Sequence, residues 1–331
     1  MEFDYRPEYV ITNETLDLAV QITERLTTLQ ALDNLFKQPQ LRRVNRLRTI
    51  HSSLAIENNS LTFEQVTAVI NGKTVIAPQN EILEVKNAYE AYTLLEETDP
   101  FSITDTLKIH GVMMKGLAAE AGKFRTAAVG VFSGGRPVHI APPPQNVPAL
   151  IRRLYDWVKT EKLNELIKYS VFHYEFEFIH PFGDGNGRMG RFLQTAFLAK
   201  WKPLFAYIPV ETVIKERQRE YYDAFRACCA DGGKSTRFIV FMLKALLSAV
   251  RNIHNDSADI LKSQTAQIQK LLEILGYIPL SAQEIGNRLG LKSLSALRVN
   301  YLTPALELGL IAMSLPDKPT SKNQKYYKAG M

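Results

Sequence analysis

Hydrophobic positions recur at helical spacing through most of the first 250 residues. Leu16, Val20, Ile22, Leu26, Leu29, Leu32 and Leu35 mark one amphipathic helix, and Val85, Ala88, Ala91, Tyr92 and Leu95 mark another. Residues 151–180 hold two more such segments, and the second ends in an aromatic-rich run that predicts a buried central helix. Thr104-Asp105 reads as a helix start ahead of LKIHGVMMKGL. Residues 122–143 break the pattern. Two β-type runs, Ala128–Phe132 and Val138–Ile140, flank Ser133-Gly134-Gly135-Arg136-Pro137, which predicts a hairpin loop. A lone hairpin on a helical protein is marginal unless it packs on something or clamps something.

From about residue 265 the texture changes to helix, turn, helix, turn, helix, with a capping box at Ser281 and Glu284 and a stop at Gly290. Leu310–Met313 and Lys325–Lys328 can then pair, which is the pattern of a winged helix-turn-helix. Charge sharpens this picture. The net charge is +6, and residues 251–331 contribute ten Lys/Arg against six Asp/Glu. That excess hints at a polyanionic partner. DNA is one candidate, with Ser293, Ser295, Arg298 and Asn300 facing the major groove and Lys318, Lys322, Lys325 and Lys328 near phosphates. Protein docking or homodimerisation is the rival reading of the same module.

Composition adds exclusions. No stretch approaches the roughly 18 to 20 apolar residues of a membrane span, so no membrane partner is expected. The opening MEFDYRPEYV lacks the basic and apolar regions of a secretory signal. The two cysteines, Cys228 and Cys229, are adjacent and supply no disulfide or zinc framework. A cytoplasmic setting is the simplest expectation.

The chemistry concentrates in HPFGDGNGRMGR, residues 180–191. Gly185 to Gly190 also fits the dinucleotide fingerprint G-x-G-x-x-G, with Glu211 about twenty positions on. The apolar strand that must precede such a turn is absent, since EFEFIHPF is helical in spacing. No Gly-Lys-Ser/Thr follows, so a P-loop is excluded as well. What remains is a helix ending near His180, a glycine-rich loop and a new helix from about Arg188. Such a loop aims backbone N–H groups at one point, and the helix adds its positive end, which together suit a phosphate. Arg188 and Arg191, three apart on the first turn, can reach one anion. Asp184 is a hard oxygen ligand for Mg²⁺, and His180 is suited to take a proton near neutral pH. Base, metal ligand, anion nest and paired arginines make a phosphoryl or nucleotidyl transfer site.

The stretch resembles the Fic family motif, H-P-F-x-x-[D/E]-G-N-G-R-x-x-R, with one residue fewer here between Phe182 and the acid. The resemblance implies a mainly α fold: a Fic helical core with a small β-hairpin flap, followed by the winged helix-turn-helix. The expected divisions are an N-terminal helical segment over 1–100, a catalytic core over 101–247 and the winged helix over 265–331. The implied activity is transfer of AMP from ATP to a Ser, Thr or Tyr hydroxyl of a target protein, or of the chain itself. In that reading His180 is the general base and Asp184 holds Mg²⁺. Asn186 and the Gly185–Gly187 backbone form the anion hole, Arg188 and Arg191 take the outer phosphates, and Phe182 sets the loop. The hairpin, with Val129, Gly130, Val131 and His139, resembles the flap that aligns a target segment. Tyr221 and Tyr222 resemble the pair that lines the nucleotide, and Cys229 stands where some relatives carry an adenine-contacting Asn.

Upstream, Ser53-Leu-Ala-Ile-Glu57-Asn58 resembles the family's inhibitory helix, [S/T]-x-x-x-E-[G/N], placed at about residues 50–60. The resemblance implies a bidentate pair between Glu57 and Arg191 that removes the arginine from the γ-phosphate. Two other classes of function stay open at this point. One is a DNA-binding regulator using the core as a nucleotide sensor. The other is the same scaffold removing AMP, or transferring UMP or phosphocholine.

Overall fold

The computed structural model describes residues 6–31, 39–133, 136–262, 266–276, 278–291, 293–307, 309–319 and 321–329. The chain forms two compact units, Met1–Ala31 with Asn45–Arg251 and Leu32–Val44 with Asn252–Met331. Apart from residues 32–44, the N-terminal segment and the expected core therefore cluster together.

The first unit is built from helices α1 (Asn13–Ala31), α2 (Pro39–Ile56), α3 (Phe63–Ile70), α4 (Gln79–Thr93) and α5 (Ile103–Met113), then a hairpin of β1 (Gly130–Ser133) and β2 (Arg136–Ile140). After it come α6 (Val147–Thr160), α7 (Glu165–Ile179), α8 (Asn186–Trp201), α9 (Val210–Glu216), α10 (Gln218–Ala230) and α11 (Thr236–Lys262). Residues 39–44 of α2 and 252–262 of α11 fall in the second unit.

On α1 the buried stripe is Leu18, Ala19, Ile22, Leu26 and Leu29, at i, i+4 steps. Leu16 and Val20, expected on that face, lie off the stripe and are 49% and 56% exposed. Leu32 and Leu35 lie outside the described residues.

The hairpin differs from expectation at its tip. Arg136 and Pro137 belong to β2, with Phe132 opposite Pro137 and Ser133 opposite Arg136. The strands thus run further than the apolar runs suggest. The register shifts between Val131 and Phe132, beside the strand that carries Pro137. Proline cannot donate to a ladder and is tolerated next to such an irregularity. Gly134 and Gly135 lie outside the described residues.

Helix α7 has no solvent face to speak of; it is buried from Leu166 to Ile179 except at Lys168 and Phe178. That all-round burial is what the aromatic run requires. Its neighbour α8 approaches closely at Gly190, where a Cβ would overlap Glu177 Oε1 and lie 3.0 and 3.1 Å from His173 Cδ2 and Nε2. A larger residue there would have to displace the Glu177 carboxyl and crowd the His173 ring. His173 Nδ1 meets Gln194 Oε1, and the Tyr221 hydroxyl donates to His173 Nε2 at 3.2 Å. Burial pushes His173 down to about 3 and Glu177 up to about 8, so both are neutral at pH 7. Their 3.9 Å contact is therefore not an ion pair.

The second unit holds α12 (Ala266–Ile274), β3 (Leu280–Ser281), α13 (Ala282–Arg288), α14 (Leu294–Leu297), a π-helical turn (Arg298–Leu302), α15 (Thr303–Glu307), β4 (Ile311–Met313) and β5 (Lys325–Lys328). The sheet order is β3-β5-β4, antiparallel throughout. Leu271, Ile285, Leu297, Leu302, Ile311 and Tyr326 lie in its core. The capping box at Ser281 and Glu284 forms as expected. Pro304 falls inside α15 rather than ending a helix. A π-turn precedes it, with Thr303 N–H reaching back to Arg298 O. Ser293, expected to face DNA, instead spends its hydroxyl capping α14 through Ala296 N–H at 3.2 Å.

Two outcomes follow from the α7–α8 contact. Gly190→Ala should destabilise the fold by about 1–3 kcal/mol, read as a lowered urea midpoint at unchanged slope. The pH profile tests Glu177. A carboxyl held near 8 when folded, against 4.5 ordinarily, contributes stability that is complete below 4.5 and fades as pH rises to about 8. The depressed His173 contributes in the opposite sense, losing stability only as pH falls below 6.5. Between pH 6.5 and 8 stability should therefore fall with a slope of up to about 1.4 kcal/mol per pH unit, and Glu177→Gln should flatten it.

Candidate functional site

His180 closes α7 in the left-handed conformation, φ 52° and ψ 62°, with its N–H bonded to Phe176 O at 2.9 Å. Its Nδ1 lies 3.2 Å from Glu177 O. A carbonyl can only accept, so Nδ1 carries the proton and the basic lone pair sits on Nε2. Burial, opposed by that hydrogen bond and aided by the charge of Arg125, holds the ring down to about 4. At pH 7 the imidazole is neutral and able to accept a proton.

Arg125 fixes this corner. Its Nε donates to His180 O at 2.7 Å, Nη1 to Ala127 O at 3.0 Å, and Nη2 to Pro142 O and Ile179 O. Its backbone N–H meets Pro181 O at 3.0 Å. One guanidinium thus ties the end of α7 to the root of the hairpin. Phe182 is fully buried and stacks on His110 at 3.6 Å with a 5° tilt. His110 Nδ1 accepts from Gly122 N–H at 2.9 Å, which places its own proton on Nε2, 3.0 Å from Asp184 O. Sequence reasoning missed Arg125 and His110. Both lie outside the motif, at separations of 55 and 74 residues from the atoms they hold, and no spacing rule reaches that far.

Helix α8 begins at Asn186, two residues earlier than expected, because Gly185 at φ 82° serves as its N-cap. Met189 N–H is the first to bond back, to Gly185 O at 3.0 Å. The N–H groups of Asn186, Gly187 and Arg188 therefore have no partner within the helix. The Asn186 side chain is spent inward, accepting from Phe182 N–H at 2.8 Å and donating to Phe182 O at 2.9 Å. What Asn186 can offer an anion is its backbone, not its amide.

An anion already stands at this helix end. Glu57 Oε1 lies over Gly187, so close that a Cβ on Gly187 would overlap it. Arg191, 2% exposed, donates from Nη2 to Glu57 Oε1 at 2.8 Å and to Ser53 O at 3.0 Å, and from Nε to Ser53 Oγ at 3.1 Å. The pair joins one nitrogen to one oxygen. The bidentate fork expected from sequence is absent: Nη2 alone reaches Glu57, while Nε goes to Ser53 Oγ. Nη1 is buried without a partner. Burial works against the charge of Arg191, and the Glu57 carboxylate more than offsets it, so Arg191 is held above its ordinary range.

Glu57 is placed by its own turn. Helix α2 stops at Ile56, and Asn58 at φ 68° takes the left-handed C-terminal position that Asn and Gly tolerate. Asn59 Nδ2 then donates to Glu84 Oε2 at 2.8 Å, and Ser60 N–H to Glu81 Oε2 at 2.6 Å. Glu84 also receives Arg188 Nη1 at 3.2 Å, while Arg188 Nη2 meets Asp184 Oδ1 at 3.1 Å. The two arginines of the motif thus point to different carboxylates rather than to one point. The side chain of Asp184 is 63% exposed, and the hydrogen bonds it accepts are both at Oδ1. Among the described residues no three His, Cys, Asp or Glu side chains gather as a metal cage.

The remaining expected residues lie around this centre. Of the pair expected to line a nucleotide, Tyr221 is 4% exposed and turned to His173, while Tyr222 is half-buried. Cys229 Sγ lies 3.8 Å from the Tyr174 hydroxyl, and burial pushes the thiol up to about 11. In the hairpin, Val131 pairs with His139 and Gly130 with Ile140, and Val129 O accepts from Ala141 N–H at 3.3 Å. His139 Nε2 lies 2.7 Å from Phe178 O and its ring rests on Phe178, pinning β2 to the end of α7.

Known proteins resemble this chain in sequence and fold. Residues 100–198 match the Fic/DOC family, and residues 266–327 match the C-terminal domain of Fic-like proteins, described as filamentation induced by cAMP. The protein adenylyltransferase Fic of Culex quinquefasciatus is 30% identical over 66% of this chain and 43% of its own length. That of Nematostella vectensis is 29% identical over 59% of this chain and 45% of its own. The chain thus spans less than half the length of these curated relatives. A crystal structure of a Fic family protein from Desulfovibrio desulfuricans G20 superposes with a TM-score of 0.75 and is 44% identical, covering 99% of both chains. The chain belongs to the Fic family.

Proposed function

We propose that this chain is a protein adenylyltransferase that moves AMP from ATP to a Ser, Thr or Tyr hydroxyl of a target protein and is restrained by Glu57. One observation carries the reading. A carboxylate sits on Arg191 over the first turn of α8, an anion in the place where a polyphosphate would be held. The adenylyltransferase names of the relatives support the same reading.

In this reading the unpaired N–H groups of Asn186, Gly187 and Arg188 receive phosphate oxygens. Arg188 and Arg191 hold the β- and γ-phosphates once freed from Glu84 and Glu57. Tyr222 lies beside the nucleotide, with Tyr221 packed behind it. Val129, Gly130 and Val131 offer main chain to an extended target segment, and His139 keeps the hairpin in place. His180 Nε2 takes the proton of the target hydroxyl while its oxygen bonds to the α-phosphorus and the bond to pyrophosphate breaks.

The donor set also fits Mg²⁺. Asp184 is an exposed carboxylate with Oδ2 uncommitted, and a single carboxylate plus phosphates is how Mg²⁺ is commonly held. Bound there, the ion neutralises charge on the phosphates.

We read the second unit as a winged helix-turn-helix, on its order of helices and its three-stranded sheet. Among the described residues no helix is long and apolar enough to cross a membrane, and both cysteines are free, which suits a reducing cytoplasm.

Labelled ATP, Mg²⁺ and cell lysate test the assignment. His180→Ala should lower labelling by about 10²- to 10⁴-fold, the usual weight of a general base. Glu57→Gly should raise it, by up to about 100-fold for a brake that holds ~99% of molecules. Equal labelling by wild type and both variants would sink the reading.

A further inference from the structure

A cavity of about 430 Å³ opens beside the end of α7, at the root of the hairpin. Pro142, Leu150, Phe178 and Ile179 give it apolar walls, and Asn146 and Arg153 supply its polar groups. Arg153 is half-buried and makes no hydrogen bond or ion pair with any described residue. Arg188 and Arg191, by contrast, are each held by a carboxylate. A partly desolvated guanidinium against apolar walls favours a carboxylate and lacks one here.

Position ties the cavity to the candidate site. Ile179, in its wall, is the chain neighbour of His180. Arg125 clasps Pro142 O, Ile179 O and His180 O together, so wall and imidazole share one rigid support. Strand β2 leads into the cavity through Ile140, which is 78% exposed. The end of the hairpin strand and the chain neighbour of His180 thus both border the cavity.

We infer that the cavity is a specificity pocket for the target segment, taking an acidic side chain that flanks the modified hydroxyl. Its carboxylate pairs with Arg153 and its methylenes lie on Leu150, Phe178 and Ile179. This inference rests on the transferase reading above. The occupant is an acidic protein segment because no described residue pairs with the cation while the walls are apolar. A phosphate chain would leave those walls uncovered.

The test uses the full-length chain carrying Glu57→Gly, labelled ATP, and a peptide set with one Ser, Thr or Tyr. Each flanking position is occupied in turn by Glu, Lys or Ala. With Arg153 present, Glu at one flank should raise labelling about tenfold over Lys, as a charge-assisted hydrogen bond allows. Arg153→Glu should reverse that order, and Arg153→Ala should abolish it. Both should leave ATP-induced thermal stabilisation unchanged, which also shows that the variants fold. Labelling with no flank preference, or a preference that ignores Arg153, overturns the pocket while the transferase stands. Self-labelling without any peptide labelling overturns it too. No labelling of anything overturns the transferase reading, and the pocket with it.

Discussion

A guanidinium that is almost wholly buried must have an anion, and Arg191 is such a group. At 2% exposure it cannot rely on water, so its environment must supply a negative partner in every state of the molecule. In this structure Glu57 supplies the charge and Ser53 two further acceptors. Nη1 still lacks a partner, so the arginine is held but not saturated. The same helix end presents free N–H groups, whose positive field adds to the demand. In the proposed reading this position can take negative charge from either of two sources, the Glu57 carboxylate just past the end of α2 or the phosphates of a nucleotide. In the proposed reading, restraint and catalysis compete for one electrostatic position.

The His180 imidazole is held by similar means. His180 owes its direction to a left-handed backbone turn and to a carbonyl that fixes its tautomer. Left-handed geometry at a non-glycine residue is strained and persists where surroundings over-determine it. Arg125 provides that support through its bonds to His180, Ile179 and Pro142, and it ties the hairpin to the same corner. His110 and Asn186 hold the other side of the loop by gripping Phe182 and Asp184. These three supports join the Phe124 and Phe176 rings on Phe182 and the Arg188–Asp184 pair in fixing the loop.

Much of this was legible in the sequence, and the exceptions have physical causes. The motif from His180 to Arg191 could be read because its parts are neighbours in the chain and its chemistry is local. The central helix could be read from its aromatic density. The burial of Tyr221 could not, because a hydroxyl facing His173 across 48 residues leaves no periodic trace. The bidentate fork at Glu57 failed for a related reason: Ser53, recognised only as part of a pattern, competes for the same guanidinium. The Asn or Gly after Glu57 looked like a bare motif position until its φ of 68° showed a helix ending that tolerates few other residues. Proline punctuates helices in sequence, whereas at Pro304 the chain has just passed a π-turn and the helix carries on.

In the proposed reading, the strength of the restraint is a question of cooperativity. Moving an equilibrium from 1:99 to 99:1 takes about 5.5 kcal/mol, and an ion pair with a partly exposed member is worth far less. Glu57 does not act alone, however. Gln218 Nε2 holds Ile56 O at 2.7 Å, Ser52 and Thr212 hydroxyls meet at 3.2 Å, and Asn59 and Ser60 are tied to Glu84 and Glu81 on α4. Glu84 in turn holds Arg188. Because Ser52, Ser53 and Ile56 lie on one helix, these contacts form or break together rather than one by one. Several modest bonds on a rigid element can therefore supply what one cannot. A nucleotide that claims both arginines must loosen the end of α2 and its tie to α4 in a single step.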